Sequence, residues 1–544
     1  KLWLPVECTA RLYMKGHTDP SMHGITKMED IVYIFLALGS LLVVLLTRRG
    51  RRTSADGEDK LRLPPGPWTL PVIGSMHHIA GALPHRAMRD LARRHGWPVM
   101  LLRLGEVPTL VVSSREGARE VMKTHDAAFA TRALSSTVRV LTNGGRDIVF
   151  APYGEHWRQM RKIAVTELLT SRRVLSFRAI REEEVGAMLR SVASAAGNGD
   201  VIDMRARLSA LVADSTLRAV IGDRCNDRDV FLRELDRSIG LAGGFNPADL
   251  WPSSRLAVWA SGAVRRAEEC RDTVFGMLDG IIAEHQQRMG TVDGDDEDLI
   301  DVLLRVQNDG SLQLPLDMDT IKGVIFVIFG AGSETSATTL EWIIAELVKN
   351  PKVMHRATTE VRRAFEAGGK VVEHQLGELV PYLHLVIRET FRLHTPLPLL
   401  LPRECREEPA CRVLGYDVPR GTQVLVNVWA LGRDERYWPD APEEFRPERF
   451  EAKQGGASAA GVDFRGANFE LLPFGAGRRM CPGMAFGLAN VELALASLLL
   501  HFDWEAPGVA DPAEFDMTEA FGITARRKAG LLLRPVLRVP VPGV

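Results

Sequence analysis

The chain has 544 residues and a mass of 60.2 kDa, with 46% hydrophobic residues, enough for a large core. Its 68 basic and 69 acidic residues leave a formal net charge of −1, which excludes bulk binding of nucleic acid. The cysteines (Cys8, Cys225, Cys270, Cys405, Cys411 and Cys481) are scattered without a CxxC pair, which excludes a disulfide scaffold and a zinc-site pattern.

Residues 1–30 read as a leader, either disordered or an extension of the gene model ahead of Met28. Residues 31–47 carry no charge and reach the short end of the ~17–25 residues that span a bilayer. Glu29 and Asp30 precede this run, and Arg48, Arg49, Arg51 and Arg52 follow it. That asymmetry predicts an uncleaved, single-pass anchor with the following body in the cytosol. Residues 48–74 form a basic and proline-rich hinge, because Pro64, Pro65, Pro67 and Pro71 stiffen the backbone and remove donors. One globular body is expected over residues 75–544.

Residues 99–104 and 109–112 predict two short strands, and the period turns helical from Ser114. The mixed stretch 129–150 offers apolar candidates for a binding pocket: Phe129, Leu134, Val138, Val140, Leu141, Ile148 and Phe150. For each of them, closing the core is the alternative. A helix begins within 153–162 and puts Trp157 and Arg161 on one face. An arginine beside an indole suits a carboxylate, with the indole N–H as a second donor; a basic solvated face is the alternative. Residues 181–289 read as amphipathic helix, broken at 240–256 by a glycine- and proline-rich turn carrying Phe245, Leu250 and Trp251. The acidic run 293–298 reads as a solvated loop, since it lacks the spaced ligands of a calcium loop.

Residues 316–350 predict a long helix. Its charge-free part between Lys322 and Glu334 is too short to span a membrane, so it is a buried helix. Gly330, Ala331 and Gly332 would leave one surface nearly bare, open to a flat cofactor. Glu334 and Thr335 then place an acid and a hydroxyl at that gap, suited to delivering protons. A helix kinked for packing is the alternative. Glu389 and Arg392 share a helical face, with Arg449 as a natural third member; all three read as structural, against the alternative of a surface pair. Prolines end that helix before an apolar turn at 396–401, and strand and loop follow to 466. In Pro473–Gly483, glycines around Cys481 let amide groups approach the sulfur, as a metal-bound thiolate needs. Arg479 adds charge for a cofactor carboxylate or for holding the loop, and Phe474 limits water. The alternative is a glycine-rich turn with a buried free cysteine. Residues 518–523 read as a turn, and 524–528 with 531–533 predict a closing strand pair.

Phe474, Gly477, Arg479, Cys481 and Gly483 resemble the haem-binding signature of cytochrome P450 monooxygenases. Trp157/Arg161, Ala331–Thr335 and Glu389/Arg392/Arg449 agree with that family in order and spacing. The N-terminal architecture is similar to that of a plant microsomal member of the 71 clan. The resemblance covers residues 60–535 and implies the mainly α P450 fold with a small β-rich lobe, plus one N-terminal transmembrane helix. It implies haem b with Cys481 as axial ligand of the iron, and with Trp157, Arg161, Phe474, Gly477, Arg479 and Gly483 around the cofactor. His394 and Arg403 are further candidates for a haem propionate. Glu334 and Thr335 become the catalytic pair, while Glu389, Arg392 and Arg449 brace the core. Val138, Phe326, Ala331, Leu397, Leu400 and Phe521 are the implied substrate contacts.

The implied reaction inserts one oxygen atom from O2 into a hydrophobic plant specialised metabolite, a terpenoid first. Phenylpropanoid, indole or oxime substrates and xenobiotics are alternatives, as are an isomerase or dehydratase that uses no O2 and a haem sensor. No fused flavin domain or dinucleotide fingerprint follows the cysteine loop. The implied partners are therefore NADPH-cytochrome P450 reductase, through which alone NADPH and flavins act, and cytochrome b5. Arg478 is a candidate for docking the reductase. The implied location is the endoplasmic reticulum membrane, single-pass, with the catalytic body facing the cytosol.

Overall fold

The computed structural model describes Gly39 and residues 61–543, except 223–226, 289–296, 311, 453–458 and 521. The chain divides into two units, residues 1–60 and 61–544. Of the first unit only Gly39 is described, as helical. The leader, the anchor at 31–47, Cys8, Cys225 and Phe521 thus lie outside the described residues.

The second unit opens with an extended segment. The proline-rich part of the expected hinge does not stand free: the Leu101 amide donates to the Pro65 carbonyl at 2.8 Å, and Gly74 bridges to Leu104. Gly66 permits this docking, because a Cβ there would lie 2.1 Å from the Leu101 carbonyl oxygen. Helix α1 (Pro84–His95) begins on a proline that needs no amide partner and ends at Gly96 with φ +65°. Strands β1 (Val99–Leu104) and β2 (Val107–Val112) follow as an antiparallel pair, as the sequence predicts.

The chain then runs through β3 (Thr131–Arg132), α2 (Ser136–Leu141), α3 (Glu155–Ile163), α4 (Arg178–Asn198), β4 (Ile202–Asp203) and α5 (Met204–Ile221). Next come α6 (Arg228–Leu241), α7 (Ala263–Arg288) and the long α8 (Met318–Lys349). Asp317 caps α8 by accepting from the Thr320 amide at 2.8 Å, and Pro351 follows its end. Although apolar enough to cross a membrane, α8 is mostly buried within the body, packed between α5 and α10 (Met484–His501). Between them in sequence lies α9 (Pro381–Leu393).

Strands β5 (Arg403–Glu404), β6 (Ala410–Val413), β7 (Tyr416–Pro419) and β8 (Gln423–Val426) precede α10, and β9 (Phe502–Glu505) and β10 (Leu532–Leu537) follow it. One sheet has the order β1-β2-β8-β5-β3, with β2 and β8 parallel. A second has the order β4-β10-β9, and β6-β7 form a third. The predicted closing strand pair is corrected here. Residues 518–528 make their own hairpin, bridged at Glu519 and Arg527, while β10 leaves to pair with β4 and β9. Alternation in β10 buries Leu533 against the helical core, which favours the longer-range partners. Asp298, expected in a solvated loop, is buried: it caps a helix and bonds His285 Nε2 at 2.8 Å.

Candidate active site

A cavity of about 320 Å³ lies where α8, α6, α2 and the cysteine loop meet. Cys481 forms its floor. The Cys481 amide donates to the Phe474 carbonyl at 2.9 Å, which closes the loop. The sulfur is open to the cavity but enclosed by protein on its other sides, and this burial pushes the thiol pKa up. The Gly483 amide and the Arg161 charge act in the opposite direction.

The loop holds its shape by close packing. Gly477 has φ +68°, and a Cβ there would lie 2.1 Å from the Met122 carbonyl oxygen. Gly483 has an ordinary φ; a Cβ would come within 4.0 Å of the Cys481 sulfur. Phe474 lines the cavity and packs edge-on against Phe391 at 5.1 Å. Arg479 is buried and reaches across to three backbone carbonyls: Ala130 at 2.6 Å, Val149 at 3.2 Å, and Ala151. Its guanidinium also lies 4.3 Å over the Trp157 ring.

Sequence reasoning missed the extent of the charge here. Arg132, Arg161, Arg403 and Arg479 all line the cavity. Arg132 bonds the Val149 and Leu401 carbonyls, and Arg403 reaches the Phe129 and Ala476 carbonyls. Asp147 acts on the Arg132 and Arg479 charges, and Asp126 sits 3.7 Å from Arg403 but is shared with Arg478. Burial first, and mutual repulsion second, push Arg479 down to about 9 and Arg132 well below its usual value. Arg403 is pushed down to about 10 by burial, against the pull of Asp126. Arg161 also faces the cavity but has no hydrogen-bond acceptor among the described residues. Four cations against two carboxylates leave a surplus of positive charge beside an accessible thiol. That donor set fits a flat group with two carboxylates and a thiolate-seeking metal, as haem is. Arg132 sits in no recognisable motif, so only the fold reveals it.

Several expectations change at this level. The Trp157 indole N–H is already donated to the Ile148 carbonyl at 3.2 Å, so Trp157 serves as a stacking floor for Arg479. His394 does not reach the cavity; it stacks on Trp342 at 4.0 Å and bonds Glu346 at 2.6 Å. The smallness of Gly332 serves helix packing as well as the cavity. A Cβ on Gly332 would lie 3.3 Å from Thr216 of α5, a tight contact, whereas one on Gly330 would meet Leu235 of α6 at an ordinary 3.5 Å; both glycines line the cavity with Ala331, the exposed one of the three. Arg478 is exposed and is held by Asp126 and the Tyr153 hydroxyl.

Glu334 and Thr335 both line the cavity. Thr335 Oγ1 donates to the Ala331 carbonyl at 2.7 Å, a bond a helical threonine commonly makes, and its lone pairs remain. Glu334 is tied by Arg526 and Thr524, which sequence reasoning did not foresee. Val138, Phe326, Leu397 and Leu400 line the cavity with Leu141, Ile148 and Phe150, whereas Phe129 is core. Phe245, Leu250 and Trp251 pack against α1 and the sheet instead. The structure adds Leu235, Ile239 and Ile523 to the lining. Away from the cavity, Glu389, Arg392 and Arg449 form one fully buried network. Arg392 grips Glu389 with two bonds of 2.7 and 2.8 Å, and Arg449 adds one of 2.8 Å.

Comparison with known proteins agrees with this geometry. The cytochrome P450 family profile matches residues 64–532. The chain is 49% identical to a zealexin A1 synthase of Zea mays, over 94% of this chain and 99% of that protein. It is 48% identical to a dolabradiene monooxygenase of Zea mays, with the same coverage of each chain. It is 46% identical to a 5-epiaristolochene 1,3-dihydroxylase of Nicotiana tabacum, over 93% of this chain and 97% of the relative. A solved zebra fish cytochrome P450 with progesterone superposes with a TM-score of 0.69 at 26% identity, covering 84% of this chain and 99% of that one. The accessible thiol, the cationic cavity wall and these matches have one common explanation: the chain belongs to the cytochrome P450 family, in its plant 71 clan, and is a haem-dependent monooxygenase.

Proposed function

We propose that this protein hydroxylates a terpenoid hydrocarbon of plant specialised metabolism. The observation that carries the proposal is the substrate side of the cavity. Val138, Leu141, Phe326, Leu397, Leu400 and Ile523 line it, and the hydroxyls of Thr142, Ser238, Thr335, Thr339 and Thr524 donate within the protein. Thr142 donates to Val138, Ser238 to Glu234, and Thr335 to Ala331, each at 2.7 Å. Such a wall rewards apolar surface and offers little to a ligand rich in acceptors. Relatives named for a diene and an epiaristolochene support this class.

Haem bound at Cys481 supplies the oxygen-activating chemistry. The balanced reaction takes RH, O2, two electrons and two protons to ROH and water. Cys481 provides the thiolate, with the Gly483 amide and Arg161 stabilising its charge. Arg132, Arg161, Arg403 and Arg479 would hold the two propionates, and Gly477 and Phe474 keep the loop shape around the sulfur. The apolar wall orients the substrate and excludes water, and Glu334 with Thr335 moves protons to the oxygen side of the cavity. NADPH-cytochrome P450 reductase supplies the electrons, with cytochrome b5 as a second donor. Residues 31–47 anchor the chain in the endoplasmic reticulum membrane. Trp68, Val72, Leu256 and Trp259 support bilayer contact, since all four are large, apolar and exposed.

The test is a reduced carbon monoxide difference spectrum, followed by substrate titration of the ferric enzyme. A band near ~450 nm and a spin-state change with olefinic terpenes, but not with phenolics, are expected. A band near ~420 nm in folded protein would remove Cys481 as ligand. A response to phenolics alone would remove the terpenoid assignment.

A further inference from the structure

Glu334 is not a free acid. Its Oε1 accepts from the Thr524 hydroxyl at 2.6 Å and from the Arg526 guanidinium, with Thr338 Oγ1 at 3.4 Å. No described residue bonds its Oε2, and the side chain lines the cavity. The second arm of Arg526 donates to Asp236 of α6 at 3.0 Å. One carboxylate therefore joins three elements: α8, the hairpin 518–528 and α6, which roofs the cavity through Leu235 and Ile239. Burial opposes the Arg526 charge, but Glu334 and Asp236 together hold its pKa above the usual value. Other charges nearby are already matched. Glu341, further along α8, pairs with Arg205 of α5 at 2.7 Å, and Arg527 turns away to the Asp516 carbonyl.

We propose that Arg526 is a positioning residue for proton delivery: with Thr524 it engages Oε1 of Glu334 and so leaves Oε2, on a side chain that lines the cavity, as the oxygen without a partner among the described residues. Asp236 ties that arrangement to the position of α6. The inference rests on the reading of Glu334 as the proton carrier. A glutamate held at one oxygen has one orientation, whereas a released one samples several rotamers and spends less time facing the oxygen to be protonated. When delivery falters, O2, two electrons and two protons leave as hydrogen peroxide instead of giving ROH and water. The ratio of peroxide to product therefore reads the aim of Glu334.

The experiment uses the full-length holoenzyme with its reductase and NADPH, and compares wild type with E334Q, R526Q, R526K, T524V and D236N. For R526Q the ~450 nm band and the substrate-binding spectrum should persist, while the peroxide-to-product ratio rises about 10-fold or more. R526K should restore most of the coupling. Infrared spectra of the resting ferric enzyme give a readout without turnover: the carboxylate band that E334Q removes should shift in R526Q and stay in place in R526K. A wild-type ratio and an unshifted band in R526Q would overturn the proposal. If E334Q itself couples normally, the proton-carrier reading falls and this inference with it. If E334Q uncouples and R526Q does not, only the role of Arg526 falls. Should R526Q fail to take up haem, T524V and D236N carry the test, with a rise of about 3-fold expected in each; unchanged ratios in both would overturn it.

Discussion

Two buried charge clusters sit in this fold, and they are built on opposite plans. In the Glu389 network the carboxylate accepts from Arg392, Arg449 and the Arg446 amide, and the arginines spend their other donors on the carbonyls of residues 440–444. It faces no cavity and its donors and acceptors are matched. In the cavity wall, among the described residues, Arg132, Arg403 and Arg479 donate to backbone carbonyls with Asp126 and Asp147 as the carboxylates that act on them, and Arg161 has no hydrogen-bond acceptor. A matched network is a brace, because its members already have their partners. An unmatched one has the shape of a missing counter-charge. The comparison separates structural from ligand-holding charge without reference to any motif.

The comparison can be broken most severely at Glu389. Glu389→Ala would strand Arg392 and Arg449 without a carboxylate, at a cost of about 3–5 kcal/mol, a large share of ordinary domain stability. The expected outcome is loss of folded, soluble protein, seen by circular dichroism and yield. Gly477→Ala comes next. It forces a left-handed φ on alanine and drives its Cβ against the Met122 carbonyl, for about 2 kcal/mol or more. The protein should still fold, with part of its carbon monoxide band moved from ~450 to ~420 nm as the cysteine loop opens. Arg161→Leu sharpens the contrast, because it removes a cation that has no hydrogen-bond acceptor among the described residues. Its circular dichroism should match wild type, while haem transfer to a scavenging protein quickens by about 10- to 100-fold. The equivalent loss at Arg392 should instead prevent folding.

The sequence made the two clusters unequally legible. Glu389 and Arg392 are three apart on one helix, so their pairing follows from helical geometry. The cysteine loop was legible too, since its glycines and cysteine lie within one short stretch. Of the cavity wall, Arg161, Arg403 and Arg479 were named one by one, but Arg132 and the assembly of the four were not legible. Arg132 on β3 and Arg403 on β5 are neighbours only because those strands pair, and no local pattern encodes a long-range register. The same holds for Arg526, which meets Glu334 across 192 positions of sequence. Gly332 was legible as a small residue lining the cavity, but not its close approach to Thr216 of α5. Residue type reveals chemistry, whereas packing decides where it points.

The smallest expected effect tests whether the cavity wall is short of negative charge or merely crowded. Asp147 is fully buried; its Oδ1 accepts from the Val149 and Phe150 amides at 2.6 and 2.8 Å, and its Oδ2 has no partner. Burial raises its pKa to about 6, although those amides and Arg479 pull it down. A folded-state pKa above the unfolded value means that the folded protein holds the proton more tightly, so this group's contribution to stability is largest at low pH. It is lost as pH rises through about 6. Between pH 5 and pH 7 the loss should be on the order of 1 kcal/mol. Asp147→Asn has no such proton, and should flatten that part of the urea-unfolding profile whatever it does to absolute stability. The haem propionates would draw on the same arginines and leave less of their field for Asp147. The slope should therefore move to higher pH in the haem-loaded protein than in the haem-depleted one. If the midpoint stays fixed on haem loading, the propionates do not share these arginines, and the surplus charge of the wall belongs to some other ligand.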